Sequence, residues 1–97
     1  MAFAGIRRKQ LPLFPGDGHV RFAGYSGAVS YVIEGDPGRL RPGPARLRGS
    51  IAIAPDLATL AFKAGEGVLR LADQAQLRIV MIGHSAGSGD VYIELRV

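Results

Sequence analysis

Most of this chain alternates apolar and polar residues, which is the pattern of β-strands whose two faces meet different surroundings. In residues 28–34, for example, Val29, Tyr31 and Ile33 share one face. Segments rich in glycine and proline separate the alternating stretches, and the longest predicted loop covers residues 35–44. We predict strands over residues 19–23, 28–34, 45–54, 68–72, 77–82 and 91–97.

Around residues 56–64 the apolar residues recur at the spacing of a helix instead of alternating. Asp56 can cap the first turn of a helix here, and Gly65 can end it in a left-handed conformation. We therefore predict a short helix around residues 56–64, although Leu60 to Lys63 would also fit a continued extended segment. The apolar residues at helical spacing are Leu57, Leu60, Ala61 and Ala64.

The element pattern predicts a mainly β protein. The chain has 97 residues, the size of one domain. About six strands and at most one short helix favour a small antiparallel barrel or sandwich, since parallel units would require crossover helices. The Pro15 to Gly18 cluster signals a turn, so we assign residues 1–18 to an N-terminal arm or extension and residues 19–97 to a single β domain.

Composition narrows the possible chemistry. The chain has no cysteine, which excludes disulfides, thiolate metal sites and a cysteine nucleophile and fits a cytoplasmic location. His19 and His84 have only Asp17 and Asp90, respectively, as neighbouring ligands at metal-binding spacing, and a four-ligand site would need both pairs to converge. We therefore expect neither a metal nor a cofactor. The apolar stretch from Ile51 to Phe62 is too short and too interrupted to span a membrane, and we expect no membrane partner.

Positive charge is concentrated in the first half of the chain. Arg46 and Arg48 alternate onto the polar face of one predicted strand, and Arg39 and Arg41 lie on the loop before it. Such a basic strip can bind a phosphate-bearing ligand or nucleic acid. The alternative is a solvated strand face with no ligand.

The segment Gly83 to Gly87, GHSAG, resembles the nucleophile elbow of α/β-hydrolases, which implies a catalytic role for Ser85. An elbow requires a helix after the serine and a histidine further along the chain, whereas an alternating strand follows here and no histidine does. We therefore predict a hairpin turn and keep serine hydrolysis as a remote alternative. The loop's small residues can also turn backbone N–H groups toward an anion, which makes His84 and Ser85 candidate ligand-binding residues.

Residues 79–82 are apolar at four successive positions, which indicates a strand buried on both faces or packed against another subunit. The most favoured function is accordingly a non-enzymatic β module that acts through protein interaction or self-association, with a homodimer as the simplest assembly. Phosphate-ligand or nucleic-acid binding through the basic first half is the alternative.

Overall fold

Buried and exposed side chains alternate along most of the strands, as the sequence predicts. The computed structural model describes residues 12–97, and these form six strands and one α-helix, with one turn of 3-10 helix at Pro37–Arg39. The elements are β1 (Leu13–Phe22), β2 (Tyr25–Glu34), β3 (Leu47–Ala52), α1 (Pro55–Ala64), β4 (Glu66–Arg70), β5 (Gln76–His84) and β6 (Asp90–Arg96). The prediction of a mainly β fold with one short helix is confirmed.

The six strands form a closed barrel in the order β1-β2-β3-β6-β5-β4, and every neighbouring pair is antiparallel. The sequence left barrel and sandwich open, and the pairing of β1 with β4 decides between them. That pairing runs from His19 opposite Arg70 to Phe22 opposite Gly67. We call it the β1–β4 seam.

The barrel interior is filled by the inward-facing residues of all six strands. Each fully buried aliphatic side chain contributes roughly 1.5–3 kcal/mol by leaving water. In the described part of the chain, no Ser, Thr, Asn, Gln, His or charged residue is buried. The largest fully buried side chains are Val20, Ile33, Ile51, Leu69, Ile79, Val91, Ile93 and Leu95.

Helix α1 packs against β4, β5 and β6 through its buried residues Ala58 and Ala61. Gly65 ends the helix as predicted, at φ 81°, and its N–H donates to the carbonyl of Ala61 at 3.1 Å. Asp56 is not the cap, because the helix begins one residue earlier than predicted, with Pro55 in its first turn. The Asp56 carboxylate instead lies in the first turn, where it faces the positive end of the helix dipole.

The predicted turn at Pro15 to Gly18 is wrong, because these residues form the first half of β1. They pair with β2, from Pro15 opposite Val32 to Gly18 opposite Val29. The glycines leave room for the buried ring of Tyr31, whose hydroxyl accepts a hydrogen bond from the N–H of Ala72 at 3.1 Å. The part of the predicted arm at residues 1–11 lies outside the described residues.

Two glycines allow the backbones to approach closely at the β1–β4 seam. A Cβ at Gly18 would overlap the carbonyl oxygen of Arg70, and a Cβ at Gly67 would overlap that of Arg21. Because both obstacles are backbone atoms, a larger residue forces the strands apart. Closure of the barrel therefore depends on glycine at these two positions.

In residues 12–97, no helix has the length and apolar character needed to cross a membrane.

We predict that Gly67→Ala destabilises the protein by about 2 kcal/mol, since overpacking at a fixed backbone contact costs roughly 1–3 kcal/mol. Urea unfolding measures the loss. The matched control is Gly83→Ala, where the nearest heavy atom to an added Cβ is 3.4 Å away, an ordinary contact. Equal losses for both variants would contradict the seam argument.

Candidate anion-binding site

A cleft of about 170 Å³ crosses the outer surface of the barrel at the β1–β4 seam. It contains three basic side chains and two neutral hydrogen-bonding side chains, and among the described residues no carboxylate lines it. Its lining residues are His19, Arg21, Ser26, Val68, Arg70 and Gln76.

The strand register brings these side chains together. His19 lies opposite Arg70, and Arg21 lies opposite Val68, so the two arginines are diagonal neighbours across the seam. The inward partners at the same level, Val20 and Leu69, are fully buried. The apolar packing of the seam therefore presents its polar residues on the outer face.

Polar contacts leave the cleft's cations available to a ligand. His19 Nε2 lies 3.0 Å from Ser26 Oγ, and a protonated Nε2 would donate to that hydroxyl. Within residues 12–97, neither Arg21 nor Arg70 has a carboxylate within 4.0 Å. Asp17, two positions from His19 on β1, accepts a hydrogen bond from Ser30 Oγ at 2.9 Å.

Two arginines in an open cleft suit a tetrahedral anion. The planar guanidinium group donates paired hydrogen bonds to phosphate oxygens, and such charge-assisted bonds are stronger than neutral ones. Ser26 and Gln76 add neutral donors at the edge. The cleft's volume of about 170 Å³ is enough for a phosphoryl group.

The arginines predicted as a basic strip are placed differently. Arg39 and Arg46 line a separate cleft of about 340 Å³ together with Asp36 and Leu40. Arg39 Nε lies 3.8 Å from Asp36 Oδ2, and Arg46 Nη1 lies 3.4 Å from Glu94 Oε1. Both arginines of this cleft thus have an acidic neighbour.

The other two arginines of the predicted set also have acceptors nearby. Arg48 on β3 lies in register between Glu34 on β2 and Glu94 on β6. Arg41 Nη1 donates to the backbone carbonyls of Gly38 at 3.2 Å and Leu40 at 3.4 Å. The fold brings Arg39 and Arg46 together but does not join all four residues in one strip.

The GHSAG segment covers the last two residues of β5, Gly83 and His84, and the start of the connection to β6. The predicted hairpin turn is therefore present, and it begins at Ser85. Ser88 N–H donates to the carbonyl of Ser85 at 3.0 Å, and Gly87 has a φ of 81°. The His84 ring nitrogen Nε2 contacts the Ser88 carbonyl at 2.9 Å. Among the described residues no histidine is hydrogen-bonded to the exposed Ser85 side chain, since His19 contacts Ser26 and His84 contacts Ser88.

His84 and Ser85 do not join the basic cleft. Gln76, which lines the cleft, begins β5, whereas His84 ends it. The His84 ring faces Phe62 of α1, with 6.0 Å between ring centroids. Within the part of the chain that the structure describes, no three His, Asp or Glu side chains are grouped to hold a metal ion.

Sequence reasoning did not select the residues of the basic cleft as a group. Their outward orientation follows from the alternation in β1 and β4, which is visible in the sequence. Their proximity depends on the pairing of β1 with β4, strands that are far apart along the chain and joined in register by the fold.

Comparison of this chain with models of protein families, with characterised proteins and with solved structures found no match.

We predict that His84→Ala destabilises the protein by about 1 kcal/mol, because it removes the partly buried contact to the Ser88 carbonyl. The control is Ser85→Ala, which removes an exposed hydroxyl and should change the unfolding free energy by less than about 0.5 kcal/mol. Chemical denaturation of both variants checks this. A larger loss of unfolding free energy in Ser85→Ala than in His84→Ala would show that the loop depends on a contact other than that between His84 and the Ser88 carbonyl.

Proposed function

We propose that this protein binds a phosphate-bearing ligand in the basic cleft at the β1–β4 seam. The observation that carries the proposal is that Arg21 and Arg70 line the same cleft. Within residues 12–97, neither has a carboxylate within 4.0 Å. In the other cleft described above, each arginine has an acidic neighbour.

A ligand relieves an electrostatic cost in this arrangement. Cations held near one another across paired strands repel, and this repulsion weakens the pairing. A phosphate group accepts hydrogen bonds from both guanidinium groups and removes the repulsion. His19 and Ser26, which already contact each other, lie on the β1–β2 side of the same anion position.

We predict that Arg21→Ala and Arg70→Ala each weaken pyrophosphate binding at least about tenfold, since a hydrogen bond to a charged group contributes roughly 1.5–3 kcal/mol. Isothermal titration calorimetry at low salt measures the affinity. The matched control is Arg41→Ala, which removes the same charge from the exposed loop outside the cleft. Equal weakening in all three variants would mean that net charge alone attracts the anion, and the proposal would be wrong.

A second candidate function is self-association, acting as a non-enzymatic β module in the cytoplasm. Its support is an apolar patch around the end of β5, formed by Phe62, Ile82 and Tyr92, which are 44%, 45% and 51% exposed. Tyr92 lies over Gly83, next to Ile82, and Phe62 lies beside His84.

The patch includes Ile82, the last residue of the apolar run at residues 79–82. Ile79 and Met81 fill the barrel interior, whereas Val80 is half-buried and Ile82 is exposed. Within a single chain the strand is thus not buried on both faces. A homodimer with the same patch on both subunits would cover Ile82.

We predict a concentration-dependent monomer–dimer equilibrium that Ile82→Gln shifts toward monomer, measured by sedimentation velocity at several concentrations. The control is Val32→Gln, which changes a 36% exposed strand residue on β2. Wild-type protein that remains monomeric at all concentrations would contradict the dimer.

A further inference from the structure

The basic cleft continues into a longer row of cations on the outer face of the barrel. Arg21 lies opposite Val68, Val68 lies opposite Arg78, and Arg78 lies opposite Arg96. The row therefore crosses β1, β4, β5 and β6 at one level. We define the arginine track as Arg21, Arg70, Arg78 and Arg96.

The track has a length that a single phosphate cannot cover. Neighbouring strands lie about 4.8 Å apart, so the path from Arg21 to Arg96 along the curved surface of the closed barrel is about 14 Å. Arg78 and Arg96 lie beyond the lining of the cleft. A ligand that contacts all four arginines must carry several phosphates in a chain.

The arginines of the track lack acidic partners in the described residues. None of the four has a carboxylate within 4.0 Å in residues 12–97. Glu94, which precedes Arg96 by two positions on β6, is paired with Arg46. Glu66 lies two positions before Val68 on β4 and limits the track on that side.

The direct pairing of Arg78 with Arg96 supports a polyanionic ligand. Like charges directly opposite each other in an antiparallel pair destabilise it. The inward residues of these strands, Ile79 and Leu95, are fully buried and hold the pair in register. Packing in the barrel interior thus maintains a cation pair that a phosphate backbone would neutralise.

We infer that the arginine track binds the phosphate backbone of a nucleic acid, with the basic cleft holding one of its phosphates. This inference rests on the proposed phosphate-binding function. The outward residues along the track include no Phe, Tyr or Trp, so base stacking does not contribute and contacts go to the backbone. Binding is therefore independent of base sequence and strongly dependent on salt.

The test is fluorescence anisotropy of a short labelled DNA duplex, titrated with the full chain at several salt concentrations. For duplex DNA the slope of log K against log salt is about −0.9 for each phosphate neutralised, so we expect roughly −3 to −4 from the track. Arg78→Ala and Arg96→Ala should each reduce the magnitude of the slope by about 0.9. All variants retain Arg7, Arg8 and Lys9. Any contribution of these three residues to the salt slope therefore cancels in the difference between variant and wild type.

Pyrophosphate binding distinguishes the inference from the proposed function. Arg78→Ala and Arg96→Ala should leave pyrophosphate affinity unchanged, whereas Arg21→Ala and Arg70→Ala should lower the affinity for both ligands. The charge-matched control Arg41→Ala should keep the wild-type salt slope.

Three results would overturn the inference. They are duplex binding whose slope is unchanged in Arg78→Ala and Arg96→Ala, a loss in Arg41→Ala as large as in those variants, and the absence of duplex binding. If any of these three results occurs while the protein still binds pyrophosphate, the proposed phosphate-binding function is retained. If the protein also fails to bind pyrophosphate, both the nucleic-acid inference and the proposed function are wrong.

Discussion

The short pairing between β1 and β4 is the constraint on which the rest of this structure depends. It joins His19 to Phe22 with Gly67 to Arg70, and without it the six strands would form an open sheet with two unpaired edges. Closure also encloses the side chains of Val20 and Leu69, which are fully buried. Backbone contact at Gly18 and Gly67 makes the pairing possible.

The same pairing assembles the candidate site. Inward residues of the seam pack in the core, and outward residues at the same levels bring Arg21, Arg70 and His19 into one cleft. Core burial is worth more than the repulsion between exposed cations, so the fold tolerates their proximity. At this cluster of cations, local preference and global fold disagree, and such disagreements are expected at functional or strained sites.

Alternation along the strands was sufficient to predict most of the secondary structure. The β3 and β6 segments lie close to their predicted bounds, and α1 differs by one residue at its start. The prediction failed at Pro15 to Gly18, where residues typical of a turn form a strand that pairs with β2, and the Tyr31 ring fills the space that the glycines leave. Pro15 is tolerated because, among the described residues, this part of β1 pairs with β2 alone.

The residues of the candidate site could be predicted from the sequence less well than the fold. The predicted basic strip consists of arginines that are close in sequence, namely Arg39, Arg41, Arg46 and Arg48. Three of them lie beside carboxylates contributed by Asp36, Glu34 or Glu94. For Arg46 and Arg48, those carboxylates come from strands β2 and β6, whose pairing with β3 was unknown from the sequence.

The sequence alone determined the class of fold, the position of the helix and the hairpin at Gly83 to Gly87, because hydrophobic period and turn chemistry act over a few neighbouring residues. The tertiary structure decided that the sheet closes, that Arg21 meets Arg70, and that Arg78 lies opposite Arg96. These are matters of strand order and register, which depend on how distant apolar faces pack together in one core.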